Sequence, residues 1–281
     1  MISRTSPVGG RRARFAGFLE GSEDAGLRRA AAAAVRSEAA ARDLAAAAGT
    51  AWPGLVQAER DLLRYHVRAA GIGAALERAT HSLIPRRRAS AAAALGELRL
   101  HEAFPRLERL LHDRNVRVRI AAARALGCLG TTSAARALLA ALEADLVPEQ
   151  RIVEALGGAW AEGPLLAAFR APRTVALRVP LADALGRTGS AAAAEALVTA
   201  MPAASVDLRV RIVRALARLG ESGAVRAAMS DPHGRVRAQA AWALGRMGDR
   251  GAHDLLEAGL LDSAPRVRAN CIAALRRLAT R

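Results

Sequence analysis

A two-residue phrase, Ala-Leu, followed by Gly or a near substitute, recurs seven times, at Leu95, Leu126, Leu156, Leu185, Leu216, Leu244 and Leu275. The gaps between these leucines are 31, 30, 29, 31, 28 and 31 residues. So constant a period means one supersecondary unit stacked on itself, each copy burying its apolar face against the next. Length then grows without one enlarging core, and 281 residues need no conventional globular division. The chain is 52% hydrophobic but only 3% aromatic. Much of that apolar content is alanine, the best helix former and small enough to let helices approach closely.

Alignment on the leucines extends the pattern. The preceding residue is alanine in every unit: Ala94, Ala125, Ala155, Ala184, Ala215, Ala243 and Ala274. Four before stand Ala91, Ala122, Ile152, Leu181, Ile212, Ala240 and Cys271. Positions −4, −1, 0 and +3 share one helical face, so this is the core face of the second helix of each pair. Cys271 on that face is read as a small buried hydrophobe. Shorter first helices are expected over 103–111, 134–142, 165–169, 192–201, 224–229 and 252–261. Gly130, Gly189, Gly220 and Gly248 suit left-handed C-caps, and the chain's many glycines are read as helix ends. Pro148 and Pro180 fall where a second helix is starting or running, which predicts a late start or a kink.

Before the repeats, residues 1–23 read as a flexible lead with Pro7, Gly9, Gly10 and clustered arginine. Residues 24–80 lack the repeat phrase. They read as two helices, roughly 24–48 and 55–69, with Gly49 and Trp52-Pro53 between them. A stack needs atypical end units, so this segment is expected to be an N-terminal helical cap, with a separate small helical domain as the alternative. Seven repeats occupy 81–281.

The chain carries 42 basic residues, all arginine, against 26 acidic ones, for a net charge of +16. The excess follows the repeats and favours acidic partners: an acidic protein, nucleic acid or anionic lipid. Cys128 and Cys271 lie in distant repeats, so no disulfide is expected, and no Cys-x-x-Cys spacing exists. The histidines, His66, His81, His101, His112, His233 and His253, show no metal-ligand spacing. No glycine-rich phosphate loop or nucleophile elbow occurs. These features assign no catalytic residue, metal or cofactor. Without an apolar run of about 18 residues or a signal-peptide pattern, the expected location is the cytoplasm.

Three units share a fuller signature: Asp113-Arg114-Asn115-Val116-Arg117-Val118-Arg119, Asp231-Pro232-His233-Gly234-Arg235-Val236-Arg237 and Asp262-Ser263-Ala264-Pro265-Arg266-Val267-Arg268. Each leads into an alanine-rich helix ending in Ala-Leu. From about Leu83 to the C-terminus the chain resembles the bacterial HEAT-repeat family, in the variety that includes the phycobilisome-lyase-type repeats. The resemblance implies an all-α fold, a right-handed α-solenoid of stacked antiparallel helix pairs. It is specific for fold and unspecific for function, since adaptors, assembly factors, chromophore lyases and a few enzymes share it. HEAT-repeat hydroxylases carry several His-Glu pairs, and only His101-Glu102 occurs here.

Register sorts the arginines. Seven before the anchor leucine stand Arg88, Arg119, Arg178, Arg209, Arg237 and Arg268, with Glu149 as the exception. This position faces inward at the helix start, where an unpaired guanidinium carries a large penalty. A structural ladder is expected, with the turn acids Asp113, Asp231 and Asp262 or nearby carbonyls as partners. Positions −5, −2 and +2 form the opposite, exposed stripe. It reads Arg151, Glu154, Asp183, Arg187, Arg211, Arg214, Arg218, Gln239, Trp242, Arg246, Asn270 and Arg277. The earlier units give Ser90, Ala93, Glu97, Ala121, Arg124 and Cys128, mostly small.

Second helices usually line the concave side of such a stack, and that side binds. The chain is therefore expected to be a non-enzymatic scaffold or adaptor that holds a protein partner, one with an acidic surface, on a basic concave face centred on Arg211, Arg214, Arg218, Trp242 and Arg246. Nucleic-acid binding along the same ridge is the alternative. A glycosylase-like or chromophore-lyase-like activity stands behind it.

Overall fold

The computed structural model describes residues 38–157, 162–172 and 175–280. The lead at 1–23 and the first part of the helix expected from Asp24 lie outside the described residues. Among the described residues every regular element is helical. The chain forms two compact units, the first ending at Ala155 and the second beginning at Leu156.

In the first unit, α1 (Glu38–Ala51) and α2 (Gln57–Ala69) precede the pair α3 (Ile72–Ala79) and α4 (Pro85–Glu97). A 3-10 turn at His101–Ala103 leads into α5 (Phe104–Leu110), which pairs with α6 (Val116–Leu129). Next come α7 (Thr132–Glu143) and α8 (Glu149–Leu156), in which the unit ends. Helix α3 packs on α4 as α5 does on α6, so the first pair begins upstream of the first anchor phrase. Helix α1 runs through Gly49 and stops just before Trp52-Pro53.

The second unit holds α9 (Glu162–Arg170), α10 (Arg178–Leu185), α11 (Ala191–Ala200), α12 (Val206–Leu219), α13 (Ser222–Ala227), α14 (Gly234–Met247), α15 (His253–Ala258) and α16 (Pro265–Ala279). The second helices α10, α12, α14 and α16 pack side by side. Within each unit this is the all-α solenoid arrangement.

Local chemistry sets the helix limits. The Asn115 side chain accepts from Arg117 N at 3.0 Å and opens α6, while Ser205 opens α12. Pro85 and Pro265 sit in the first turns of α4 and α16, where a missing N–H has no consequence. Helix α8 starts directly after Pro148, and α10 admits Pro180 in its first turn. Both run 8 residues, against 13 to 15 in the other second helices.

Leu95, Leu126, Leu156, Leu185, Leu216 and Leu244 are fully buried, and Leu275, near the end of the stack, is half-buried. Each buried leucine contributes about 1.5–3 kcal/mol by leaving water. All seven residues at position −4 are buried, which fixes the core face.

The glycine of the phrase has a different role from the one expected. Gly96, Gly127 and Gly245 lie inside helices, and Gly186 lies at the end of α10. A Cβ on Gly96 would stand 2.4 Å from Ala125 Cα, and one on Gly245 would stand 2.6 Å from Ala274 Cα. Gly127 meets Ala155 and Gly186 meets Ala215 in the same way. The reading of the glycines as helix ends is therefore corrected: these four let α4, α6, α10 and α14 touch the backbone of α6, α8, α12 and α16 in turn. Gly130, Gly220 and Gly248 do end helices, with positive φ.

Candidate functional site

The six arginines at position −7 lie at the starts of second helices and are partly buried. Where a turn aspartate follows in the next repeat, the guanidinium fork grips it. Arg88 Nε and Nη2 donate to Asp113 Oδ2 and Oδ1, both at 2.8 Å. Arg237 meets Asp262 at 2.7 and 2.8 Å. Arg209 Nε lies 2.9 Å from Asp231 Oδ2. The remaining arm, Nη1, donates to carbonyls of the turn that opens its own helix. For Arg88 these are Ser82 and Leu83, for Arg237 Asp231 and Pro232, and for Arg268 Asp262 and Ser263. Arg209 reaches Ala204 O in this way.

Arg119 keeps the arm to Asp113 O but finds the Leu146 carbonyl in place of a carboxylate. Among the described residues Arg178 reaches only Arg170 O, at 3.4 Å. Each turn aspartate also ties its own loop, since Oδ1 accepts the N–H two residues on, from Asn115, His233 and Ala264, at 2.8 Å each. The hydrogen bonds from Arg88 and Arg237 hold the Asp113 and Asp262 carboxyls below the ordinary aspartate range.

The opposite stripe divides between the units. In the first unit Arg151 is exposed and donates to Glu154 at 3.0 Å. In the second unit the stripe departs from uniform exposure. Asp183 is buried, 7% exposed, because Arg211 and Arg218, two turns apart on α12, close over it from the neighbouring helix. Arg211 Nη1 lies 2.6 Å from Asp183 Oδ2, and Arg218 Nη1 lies 3.3 Å from Oδ1. Two of the three ridge arginines thus share one carboxylate. Arg214, between them on α12, has no ion-pair partner among the described residues.

On α14, Trp242 is half-buried and the exposed Arg246 lies over its ring, with Cζ 5.1 Å from the centroid. The Gln239 amide nitrogen is buried without a hydrogen-bond partner among the described residues. Asn270 donates to Ala238 O at 2.7 Å and so joins α16 to α14. Arg187 and Arg277 are exposed. The face therefore offers free or shared guanidiniums at Arg187, Arg211, Arg214, Arg218, Arg246 and Arg277, around one aromatic and over one buried acid.

One further fork lies outside both columns. Arg226 on α13 grips Asp249 with two bonds of 2.7 Å. Its signal in the sequence is an acid just after the Gly248 helix end, a position that also holds Glu221 after Gly220. Glu102 is engaged by both arms of Arg68, at 2.9 and 3.0 Å, so the His101-Glu102 pair has no free carboxylate. Among the described residues, His253, Asp254 and Glu257 bring possible ligand atoms within 4.8 Å, all exposed. No described helix is long and apolar enough to cross a membrane.

Helix pairs stacked through glycine–alanine contacts, with cationic side chains aligned on one face of the second helices, define an all-α repeat scaffold. The chain belongs to the HEAT-repeat family, whose profile matches residues 72–157 and 200–276. No curated protein matches it. Among solved structures it is similar to human deoxyhypusine hydroxylase, at 22% identity and a TM-score of 0.39, covering 86% of this chain and 98% of that one. It is similar to the CpcE–CpcF complex of phycocyanin lyase from Nostoc sp. PCC7120, at 20% identity and a TM-score of 0.36, covering 73% and 94%. A designed armadillo repeat protein in complex with the peptide (KR)4 is 19% identical, with a TM-score of 0.37, covering 76% and 94%.

Proposed function

We propose that this protein is a non-catalytic HEAT-repeat scaffold of the cytoplasm that holds an acidic protein segment on the second-helix face of its second unit. The observation behind this reading is the imbalance around Asp183. One buried carboxylate serves Arg211 and Arg218, and Arg214 between them is left without a described partner. A guanidinium pre-positioned in this way presents a planar fork to an incoming carboxylate. Trp242, with Arg246 over its ring, supplies the amphipathic anchor typical of binding hot spots. Arg187, Arg246 and Arg277 give the face its long-range attraction. Arg151 and Glu154, which already pair with each other, are secondary to it. We also propose that α1 and α2, in the described part of the 24–80 segment, cap the N-terminal end of the stack, a role supported by the packing of α1 on α4.

The test is a titration of labelled oligoglutamate peptide into the full chain. Arg214→Glu and Trp242→Ala should each weaken binding by roughly tenfold or more with helicity and melting unchanged. Arg136→Glu, on an exposed part of α7, should leave affinity nearly intact. Equal affinity in all variants contradicts the reading. Preferential, steeply salt-dependent binding of random duplex DNA moves the face to phosphate recognition.

A further inference from the structure

The first unit contains a cavity of about 270 Å³ whose lining includes Thr50, Trp52, Glu97, Arg99, Arg124 and Cys128. It is unusual in its cations. Arg60, Arg64 and Arg99 all place their guanidinium carbons near the buried Trp52 ring, at 5.8, 5.1 and 5.1 Å from its centroid. Arg60 donates to the Trp52 carbonyl, and Arg64 bonds Asp61. The Arg99 guanidinium has neither an ion pair nor a hydrogen bond among the described residues, although it is half-buried. Burial and the nearby Arg60 and Arg64 charges depress its pKa, the response of a cation short of counter-charge.

The acid on the lining, Glu97, lies 3.4 Å from Arg124. Burial pushes the Cys128 thiol up, which keeps it neutral.

The backbone gives an independent sign. Arg99 stands four residues after its anchor leucine, where α4 gives way to the next turn, with φ at 49°. The same position is Gly130, Gly189, Gly220 and Gly248 in other repeats, with φ between 64° and 85°. Glycine adopts this left-handed region freely, whereas an arginine is strained there. Strain of this kind clusters where side chains have tasks, and Asp145, at φ 50°, is the one other non-glycine residue with positive φ among the described residues. Here it holds the guanidinium against Trp52 on the cavity wall. Glycine meets the backbone requirement by itself at those four positions, whereas here the side chain also lines the cavity.

We propose that this cavity binds a small oxyanion, the carboxylate or phosphate group of a compact organic molecule, with Arg99 as its principal partner and Arg124 beside it. The indole body of Trp52, the methyl of Thr50 and the methylenes of Glu97 pack the non-polar part of that molecule. The site lies wholly in the first unit and does not depend on the peptide-binding reading of the second.

The experiment is calorimetric titration of the full chain at low ionic strength with inorganic phosphate, phenyl phosphate and benzoate as probes. Saturable one-site uptake of at least one probe is expected, and the phenyl compounds separate a phosphate source from a carboxylate source. Arg99→Gly and Arg99→Gln should each weaken uptake roughly tenfold or more, while the glycine variant, relieved at φ 49°, melts no lower than the native chain. Arg136→Gln should bind as the native chain does. Failure of the native chain to take up any probe overturns the proposal, as does undiminished uptake by either Arg99 variant.

Discussion

Asp113 accepts both arms of the Arg88 guanidinium at 2.8 Å, from a helix that begins 28 residues earlier at Pro85. Arg88 Nη1 meanwhile holds the turn before its own helix. One side chain therefore ties two successive turns of the stack, and Arg237 repeats the arrangement with Asp262. A solenoid is stabilised by nearest-neighbour terms, and this clamp is one that recurs with the period.

Arg237→Gln should lower stability by about 1–3 kcal/mol, because the buried part of Asp262 and two turn carbonyls lose charged donors together. Urea denaturation monitored by helicity measures it. The exposed pair Arg235–Asp207, 2.8 Å apart, is the control. Arg235→Gln should change stability by less than about 1 kcal/mol.

Acid should dissolve the same clamps. Folding depresses the carboxyls of Asp113 and Asp262, and also Asp249 through its hydrogen bonds from Arg226. The folded state then binds protons less readily than the unfolded chain. The stabilisation is complete above the unfolded aspartate value of about 3.9 and disappears as pH falls through the depressed folded values. Denaturation midpoints measured from neutral pH down to about pH 3 should show a falling acid limb. The double variant Asp113→Asn/Asp262→Asn should be less stable at neutral pH and should flatten that limb.

Gly96→Ala should destabilise, although alanine is the better helix residue by up to about 1 kcal/mol. Its methyl would lie 2.4 Å from Ala125 Cα, so α4 and α6 must separate. A net loss of about 1–3 kcal/mol is expected from overpacking against backbone. Gly223→Ala, in open space on α13, should be neutral or stabilising. Thermal melting of the two variants compares them directly.

These contacts explain how far the sequence could be read. The core face was legible because burial at positions −4, −1 and 0 imposes a 3.6-residue rhythm within a single helix. Cys271 and Ile212 show it without reference to any neighbour. The role of Gly96 was not legible, because a glycine that meets Ala125 looks the same in sequence as one that ends a helix. The rhythm of α10 alone puts Asp183 on an exposed stripe. What buries it is a pair of arginines 28 and 35 residues later, a relation between helices that periodicity does not encode. Arg99 left a trace in the sequence as the arginine in a column that is otherwise mostly glycine, but only its φ gives that trace a meaning.

In the proposed arrangement one column of arginines faces the stack and another faces a partner. Thermal melting of Arg237→Gln and Arg214→Gln side by side in the full chain tests it most directly. The account predicts a clear drop in melting temperature for Arg237→Gln and an unchanged one for Arg214→Gln. A stable Arg237→Gln chain beside an unfolded Arg214→Gln chain would contradict it.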